Sequence, residues 1–374
     1  MIYFDNAASG GFKPQSVIQA VTDTLKSPAN PGRSAHSAAL AAAETVYKAR
    51  QAAAEFFGAE STENVIFTAN CTAALNLAIF GSLNKGHVIT TANEHNSVLR
   101  PLYELERRGM IRLTIVPPDS QGAVTSEMLS RHIRTDTQMI AVNHVSNVTG
   151  AVTQISNIGR LCVFKNILFL ADTAQSAGHI NIDMRRDNID LLAVAPHKGL
   201  YSPQGVGILV TSPKITLNPV TFGGTGTESE NPRQPLVSPE AYESGTLNTP
   251  GLAGLSAGIA YTKNIFEAAR QKITFLSGLL ILELSKISGV TVYSPPDVYS
   301  GVISFNIKNL PSATVSDILN NEYGICARPG LHCAPLIHKH LGTLSRGAVR
   351  ISVSYENTAE EASFFLTAVK EIAE

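Results

Sequence analysis

The sequence has almost no net charge, few cysteines and no long apolar run. Its 29 basic and 30 acidic residues leave a net charge of −1, so we expect neither nucleic acid nor an acidic membrane surface as a partner. Four cysteines in 374 residues indicate a reducing compartment, the cytoplasm, rather than a disulfide framework. No run approaches the about 20 apolar residues that span a bilayer, and the first residues lack a basic segment with an apolar core, so we expect no membrane span and no secretory signal.

The composition is that of an enzyme with a large core. Hydrophobic residues make up 44% of the chain and charged residues 16%, and this length allows two domains. The sequence contains neither internal repeats nor low-complexity tracts. Short apolar runs alternate with helical segments, which predicts an α/β fold.

Two of these runs, residues 167–171 and 191–195, are typical of buried strands of a parallel sheet. Asp172 and Lys198 follow them at the strand ends, where open α/β sheets bind ligands. The pair suits pyridoxal 5'-phosphate (PLP), because the lysine forms a Schiff base with the cofactor aldehyde and the aspartate keeps the pyridine nitrogen protonated. A surface ion pair is the alternative for these two residues alone. Gln175, within reach of the ring hydroxyl, and a glycine-rich turn at 202–207 favour the cofactor.

A second ligand site is predicted where the strand at 65–68 runs through a polar turn into a helix. The first N–H groups of such a helix and the positive end of its dipole bind anions. We therefore assign the cofactor phosphate to the backbone N–H of Cys71 and the hydroxyl of Thr72. A plain helix cap by Asn70 is the alternative.

Together with the blocks described next, these segments resemble class V aminotransferase-fold enzymes, and within them the cysteine desulfurase and selenocysteine lyase family in its Suf-type group. The resemblance extends from Tyr3 to about Ala359. It implies a PLP-dependent transferase of fold type I, with a large domain built on a mainly parallel seven-stranded sheet and a small α+β domain. We place the large domain at residues 15–250 and the small domain at residues 1–14 and 251–374.

The resemblance also assigns residues around the cofactor. It places His95 flat on the cofactor ring, where the imidazole moves protons near the substrate Cα. It places Ala8 and Asn147 against the substrate. A solvated turn residue is the alternative for His95, and a turn former for Asn147. Arg33 and His36 match an arginine and a histidine near the entrance of the family's active site.

The phosphate site departs from the family pattern at one position. Relatives have a serine or threonine two or three residues before the lysine, whereas residues 194–196 are Val-Ala-Pro. We therefore expect the phosphate to depend on Thr72, His197 and backbone N–H groups, or to bind less tightly. The resemblance further implies that Thr246 reaches the phosphate of a neighbouring subunit, which requires a homodimer with shared active sites.

The segment 328–336, Arg-Pro-Gly-Leu-His-Cys-Ala-Pro-Leu, carries the predicted sulfur chemistry. Arg328 and His332 near Cys333 favour a stabilised thiolate. In cysteine desulfurases the cysteine of this stretch attacks the substrate sulfur. Arg350 matches the family arginine that pairs with the substrate carboxylate, and Arg328 is expected to border the same pocket. A buried small hydrophobe is the alternative for Cys333.

The predicted activity is the conversion of L-cysteine to L-alanine, with the sulfur transferred to Cys333 as a persulfide that an acceptor protein removes. The compact loop around Cys333 favours the Suf-like group. The alternatives are a selenocysteine lyase, another PLP-dependent C–S lyase or transaminase, and an inactive dimer that serves as a binding platform. The sequence leaves open the preference between sulfur and selenium, the acceptor and the pathway served. We expect no metal, because the spacing of Cys326, Cys333 and the nearby histidines matches no common zinc site.

Overall fold

The computed structural model describes residues 1–27, 29–31, 34–120, 122–296 and 300–374. The strands are β1 (Ile2–Tyr3), β2 (Val65–Thr68), β3 (Gly86–Thr91), β4 (Ile111–Val116), β5 (Thr137–Asn143), β6 (Leu168–Asp172), β7 (Leu191–Val194), β8 (Gly207–Thr211), β9 (Val290–Val292), β10 (Val302–Ile307), β11 (Ile325–Cys326) and β12 (Val349–Ser352). The α-helices are α1 (Gln15–Lys26), α2 (Ser37–Phe57), α3 (Cys71–Ser82), α4 (Asn96–Arg107), α5 (Ser126–Ser130), α6 (Ile155–Lys165), α7 (Thr249–Lys286), α8 (Ser312–Tyr323), α9 (Pro335–His340) and α10 (Ala359–Ala373).

The main sheet has seven strands in the order β2-β8-β7-β6-β5-β3-β4. The strands β7, β6, β5, β3 and β4 pair in parallel, whereas β8 is antiparallel to both β2 and β7. This confirms the predicted α/β fold with a mainly parallel seven-stranded sheet. The apolar run at residues 205–210 also predicts an antiparallel strand, and the structure forms it as β8. Because parallel strands point the same way, the segments that follow β3, β5, β6 and β7 meet at one edge of the sheet.

The central strands β6, β7 and β8 are mostly apolar and buried because both faces of the sheet are covered. In β6, Phe169 and Ala171 pack into one core while Leu170 packs into the other. Helices α2 and α6 contribute to the first core, and α3 and α4 contribute to the second. The strand ends are therefore held by packing on both sides, which fixes the side chains that follow them.

Helix α7 connects this core to a second one. Leu252 and Leu255 near its start pack with the main sheet, whereas Leu276 and Leu280 pack with the three-stranded antiparallel sheet β12-β10-β9. The pattern of residues 252–287 predicts an interdomain helix followed by a second helix, whereas the structure forms one continuous helix of 38 residues. No helix in the described ranges is long and apolar enough to cross a membrane. The domain boundaries given above stay a prediction.

Several local expectations hold and others need correction. Gly58 ends α2 in the left-handed conformation, and the Asn70 side chain caps α3 by accepting from the N–H of Ala73. Asn357 and Glu360 have the sequence spacing of a capping box for the last helix, but the box that forms one residue later consists of Thr358 and Glu361. The Asn357 carboxamide oxygen accepts instead from the N–H of Ser354, at 2.8 Å, so it is not available to the helix.

The ends of the chain form elements that periodicity did not reveal. The strand β1 pairs in parallel with β11, which joins the N-terminus to the segment before Arg328. Neither β11 nor α9 was expected, because each is too short to carry a pattern. The spacing of Val17, Ile18 and Leu25 predicts an apolar stripe on α1. This stripe is only partly buried: Val17 is 1% exposed, but Ile18 is 46% and Leu25 64% exposed.

Candidate active site

A cavity of about 230 Å³ opens where the carboxyl edge of the main sheet meets β12 and the segment that precedes it. It collects most of the residues that the sequence predicted for the cofactor and the substrate. Those that line it are Ala8, Cys71, Thr72, His95, Asn147, Asp172, Gln175, His197, Lys198, Arg328 and Arg350. Residues more than 300 positions apart in the sequence, such as Ala8 and Arg350, therefore line one site.

Asp172 and Lys198 lie side by side because β6 and β7 are neighbours. The turns that follow these strands touch through their backbones: a Cβ on Gly178 would lie 2.1 Å from the carbonyl oxygen of Gly199. Only glycine at these positions allows this approach. The Asp172 carboxylate accepts from the N–H of Ala174 at 2.9 Å, and burial raises its pKa.

The electrostatic surroundings of Lys198 make its amine easier to deprotonate. Burial lowers the pKa of Lys198 to about 8, with smaller contributions from the positive charges of Arg350 and Arg328. The carboxylate of Asp172 acts in the opposite direction. A lysine of this kind has an appreciable neutral fraction near neutral pH, which a nucleophilic amine needs.

His95 follows β3 and caps α4, so its ring orientation is fixed. Its Nδ1 accepts from the backbone N–H of Ser97 at 3.1 Å, which leaves the ring proton on Nε2 in the neutral form. Burial, and then the positive charge of Lys198, lower the pKa of His95 to about 4. The histidine is therefore a neutral ring at physiological pH.

The predicted phosphate end of the cavity lies at the start of α3. Thr72 and Ser97 place their hydroxyl oxygens 2.8 Å apart, and Ala195, which has no hydroxyl, also lines the cavity. His197 does not stand free: its Nδ1 lies 3.1 Å from the hydroxyl of Ser9. Burial lowers the pKa of His197 to about 4, so it enters the site as a neutral ring.

Arg350 and Asn147 form the other end of the cavity. Arg350 is 2% exposed and donates to the carbonyl of Asn147 and to the carboxylate of Asp5, each at 3.0 Å. Its Nε and the Oδ1 of Asn147 are buried and have no hydrogen-bond partner among the residues that the structure describes. Buried polar atoms without partners are energetically unfavourable, so this pair is suited to contact a polar ligand.

Cys333 does not line the cavity but sits on an exposed turn directly after His332, which does. His332 and Cys333 both have left-handed backbones, with φ of 51° and 55°, a strained conformation for residues with a Cβ. Two hydrogen bonds hold the turn: Asn147 donates to the carbonyl of His332 and the N–H of Asn96 to that of Cys333, each at 2.7 Å. The thiol lies within electrostatic range of Arg350.

The ring of His332 is engaged away from the thiol. Its Nε2 donates to the carbonyl of Arg328 at 3.1 Å, and its Nδ1 faces Nε2 of His338 at 3.4 Å. His338 in turn contacts the hydroxyl of Thr343 at 2.7 Å. Burial lowers the pKa of His332 to about 2. The described residues contain no cluster of three or more histidine, cysteine or acidic side chains placed to hold a metal ion.

Three other predicted positions lie apart from the cavity. Thr246 is exposed and lines separate surface cavities with Leu247, which is compatible with a role toward a second subunit. His36 caps α2 by accepting from the N–H of Ala39. Arg33 lies outside the described residues.

The sequence analysis missed Ser97, Asp5 and Glu94. Ser97 follows a strand and lies in the first turn of a helix, the same signal that identified Thr72. Asp5 could not be found, because its contact with Arg350 joins opposite ends of the chain. Glu94 is fully buried behind His95 and bonded to the hydroxyl of Thr91 at 2.6 Å; burial raises its pKa to about 8.

The donor set fits PLP. The carboxylate of Asp172, the amine of Lys198 and the amide of Gln175 face one cavity and match the pyridine nitrogen, the aldehyde and the ring hydroxyl of that cofactor. The first N–H groups of α3 have no acceptor within the helix and suit a phosphate. The unpartnered Nε of Arg350 suits the carboxylate of an amino acid, whereas the unpartnered Oδ1 of Asn147 can only accept and suits a hydrogen-bond donor.

The comparisons with known proteins agree with this geometry. The model of the aminotransferase class-V family matches residues 2–365, so the chain belongs to that family. It is 35% identical to the probable cysteine desulfurase of Methanothermobacter thermautotrophicus and 32% to that of Pyrococcus abyssi, over the whole chain and 94% of each relative. Among solved structures, the apo cysteine desulfurase of Thermococcus onnurineus NA1 superposes with a TM-score of 0.93 at 30% identity, covering 100% of this chain and 94% of that one.

Proposed function

We propose that the protein is a PLP-dependent cysteine desulfurase that converts L-cysteine to L-alanine and passes the sulfur to Cys333 as a persulfide. The observation that carries the proposal is the cavity itself, where Lys198 and Asp172 face Arg350 and the turn of Cys333 forms the rim. The family match and the named relatives support it independently.

The roles at the cofactor end follow from the chemistry of the side chains. PLP, when bound, supplies an aldehyde for attachment and a ring that accepts electrons from the substrate Cα. Lys198 would hold the cofactor through its Nζ, and the same Nζ would take up the Cα proton of the substrate. Asp172 would hold a proton at the ring nitrogen. His95 would contact the ring as a neutral imidazole, and Gln175 would bind the ring hydroxyl.

The roles at the substrate end use the unpartnered atoms. Arg350 donates Nε–H to the carboxylate of L-cysteine, and Asp5 holds the guanidinium in place from the opposite side. Ala8, Asn147 and Arg328 border the substrate. The resulting orientation points the substrate sulfur toward the rim, where the thiol of Cys333 lies.

The transfer of sulfur from L-cysteine to Cys333 needs no external oxidant or reductant. The thiolate of Cys333 attacks the substrate sulfur, an S–S bond forms, and the C–S bond of the substrate breaks. The electron pair of that bond returns to the carbon skeleton, which takes up protons and leaves as L-alanine. The exposed position of Cys333 allows an acceptor protein to collect the persulfide.

The test measures alanine and sulfide from L-cysteine in the presence of a thiol reductant. Cys333→Ala should abolish both products while the visible absorbance of the bound cofactor stays unchanged. Cys326→Ala is the matched control, because this partly exposed cysteine lies on β11 and does not contribute to the cavity. Full activity of Cys333→Ala on selenocysteine would indicate a selenocysteine lyase, and cofactor binding without turnover of either substrate would favour a binding platform or another class V reaction.

The assembly and location belong to the same proposal. Exposed Thr246 reaching a second subunit would complete the phosphate site, as in a homodimer with shared active sites. Two exposed apolar side chains, Leu25 and Tyr47, line surface cavities next to that segment, and apolar patches of this kind mark interfaces. Four free cysteines support the cytoplasm as the compartment.

A further inference from the structure

Two helix N-termini converge at the phosphate end of the cavity. Thr72 is the second residue of α3 and Ser97 the second residue of α4, and both line the cavity. Their hydroxyl oxygens lie 2.8 Å apart. Both helices have 12 residues, so each directs the positive end of its dipole toward the same point.

The same cavity is also lined by a residue that has no hydroxyl. Ala195 lines the cavity but has no group that donates to an anion. The neighbouring His197 is neutral, because burial lowers its pKa to about 4, and its Nδ1 is engaged with Ser9. Positive side-chain charge is therefore weak here, and hydroxyl donors carry more of the binding.

Resting on the proposed function, we infer that Ser97 is a phosphate-binding residue that replaces the hydroxyl missing at Ala195. The Oγ of Ser97 lies 2.9 Å from Nδ1 of His95. It is free to turn from this nitrogen to the phosphate, because the backbone N–H of Ser97 already donates to the same Nδ1 at 3.1 Å. His95 thus keeps its orientation while the hydroxyl serves the anion.

A competing role for Ser97 is to orient His95 alone. The two roles differ in their dependence on the phosphate group of the cofactor. If Ser97 binds phosphate, its removal weakens PLP and leaves pyridoxal, which lacks the phosphate, unaffected. If Ser97 only orients the imidazole ring, both compounds lose affinity to the same extent.

The experiment titrates the apo-protein with PLP and with pyridoxal and follows attachment to Lys198 by visible absorbance. For Ser97→Ala we expect the dissociation constant for PLP to rise about 10- to 100-fold, the effect of one hydrogen bond to a charged group, and that for pyridoxal to stay constant. Adding Ala195→Ser to this variant should restore most of the PLP affinity, and the phosphorus resonance of bound PLP should shift in Ser97→Ala and return in the double variant.

Ser82→Ala is the control variant, because it removes a hydroxyl from the other end of α3, where Ser82 bonds to the carbonyl of Ala78. It should bind both compounds as the unmodified protein does. Equal weakening of PLP and pyridoxal by Ser97→Ala, or an unchanged affinity for PLP, would overturn the inference. Failure of the unmodified apo-protein to bind either compound at Lys198 would instead overturn the proposed function.

Discussion

At the scale of single residues, burial decides which groups carry charge in the site. Burial lowers the pKa of Lys198 to about 8 and that of His95 to about 4. With a pKa near 8, about a tenth of the lysine is neutral at pH 7, against well under a thousandth for a lysine of ordinary pKa. The site therefore presents an uncharged nucleophile and an uncharged ring at physiological pH.

The pKa of Lys198 gives a testable pH dependence. The amine is protonated below its pKa, so the rate at which pyridoxal attaches to the apo-protein should rise about tenfold per pH unit up to about pH 8 and then level off. Stopped-flow absorbance measures this rate. Lys198→Ala gives the background from the other lysines. A rate that keeps rising through pH 10 would mean that the environment of Lys198 does not lower its pKa.

At the scale of elements, α7 supports the lysine from behind. A Cβ on Gly258 would lie 2.2 Å from the carbonyl oxygen of Leu200, two residues after Lys198, whereas a Cβ on Gly278 of the same helix would meet nothing within 4 Å. Helix α7 therefore packs against the backbone of the lysine turn at Gly258, whereas there is space around Gly278. This contrast supplies a matched pair of substitutions.

Gly258→Ala should displace the lysine turn, lower the melting temperature and increase the rate at which the bound cofactor is lost. Gly278→Ala should raise stability by about 0.5–1 kcal/mol, since alanine costs less conformational entropy than glycine in a helix. Thermal unfolding and dialysis of the bound cofactor measure both effects. Similar results for the two variants would show that the contact between α7 and the lysine turn does not matter.

Local patterns in the sequence predict some of the site residues, whereas residues that depend on contacts with distant parts of the chain are missed. Asp172 and Lys198 were predicted because each directly follows a buried strand, and a strand end is a local pattern. Asp5 was missed because its partner Arg350 lies 345 positions away. The capping box was misplaced by one residue because Asn357 and Thr358 are adjacent cap formers, and the carboxamide oxygen of Asn357 accepts from Ser354 rather than from the N–H groups of the helix.

At the scale of the whole molecule, the exposed Thr246 decides whether the phosphate site is complete within one subunit or needs a second subunit. Residues 245–247 lie outside the cavity of their own subunit, beside exposed Leu25 and Tyr47. If a homodimer forms through this face, each phosphate receives Thr72 and Ser97 from one subunit and Thr246 from the other. A dimer that contains two different variants can test this arrangement at a single protein concentration.

One subunit carries Lys198→Ala and the other Thr246→Ala, each with a different affinity tag so that the mixed dimer can be purified. The Thr246→Ala homodimer should bind PLP more weakly than the unmodified protein. In the mixed dimer, only the subunit that lacks Thr246 retains Lys198, and its partner supplies an intact Thr246. The one site that can attach the cofactor should therefore bind PLP as tightly as the unmodified protein does. If the mixed dimer stays as weak as the Thr246→Ala homodimer, Thr246 acts within its own subunit. A chain that sediments as a monomer at all concentrations would exclude shared sites altogether.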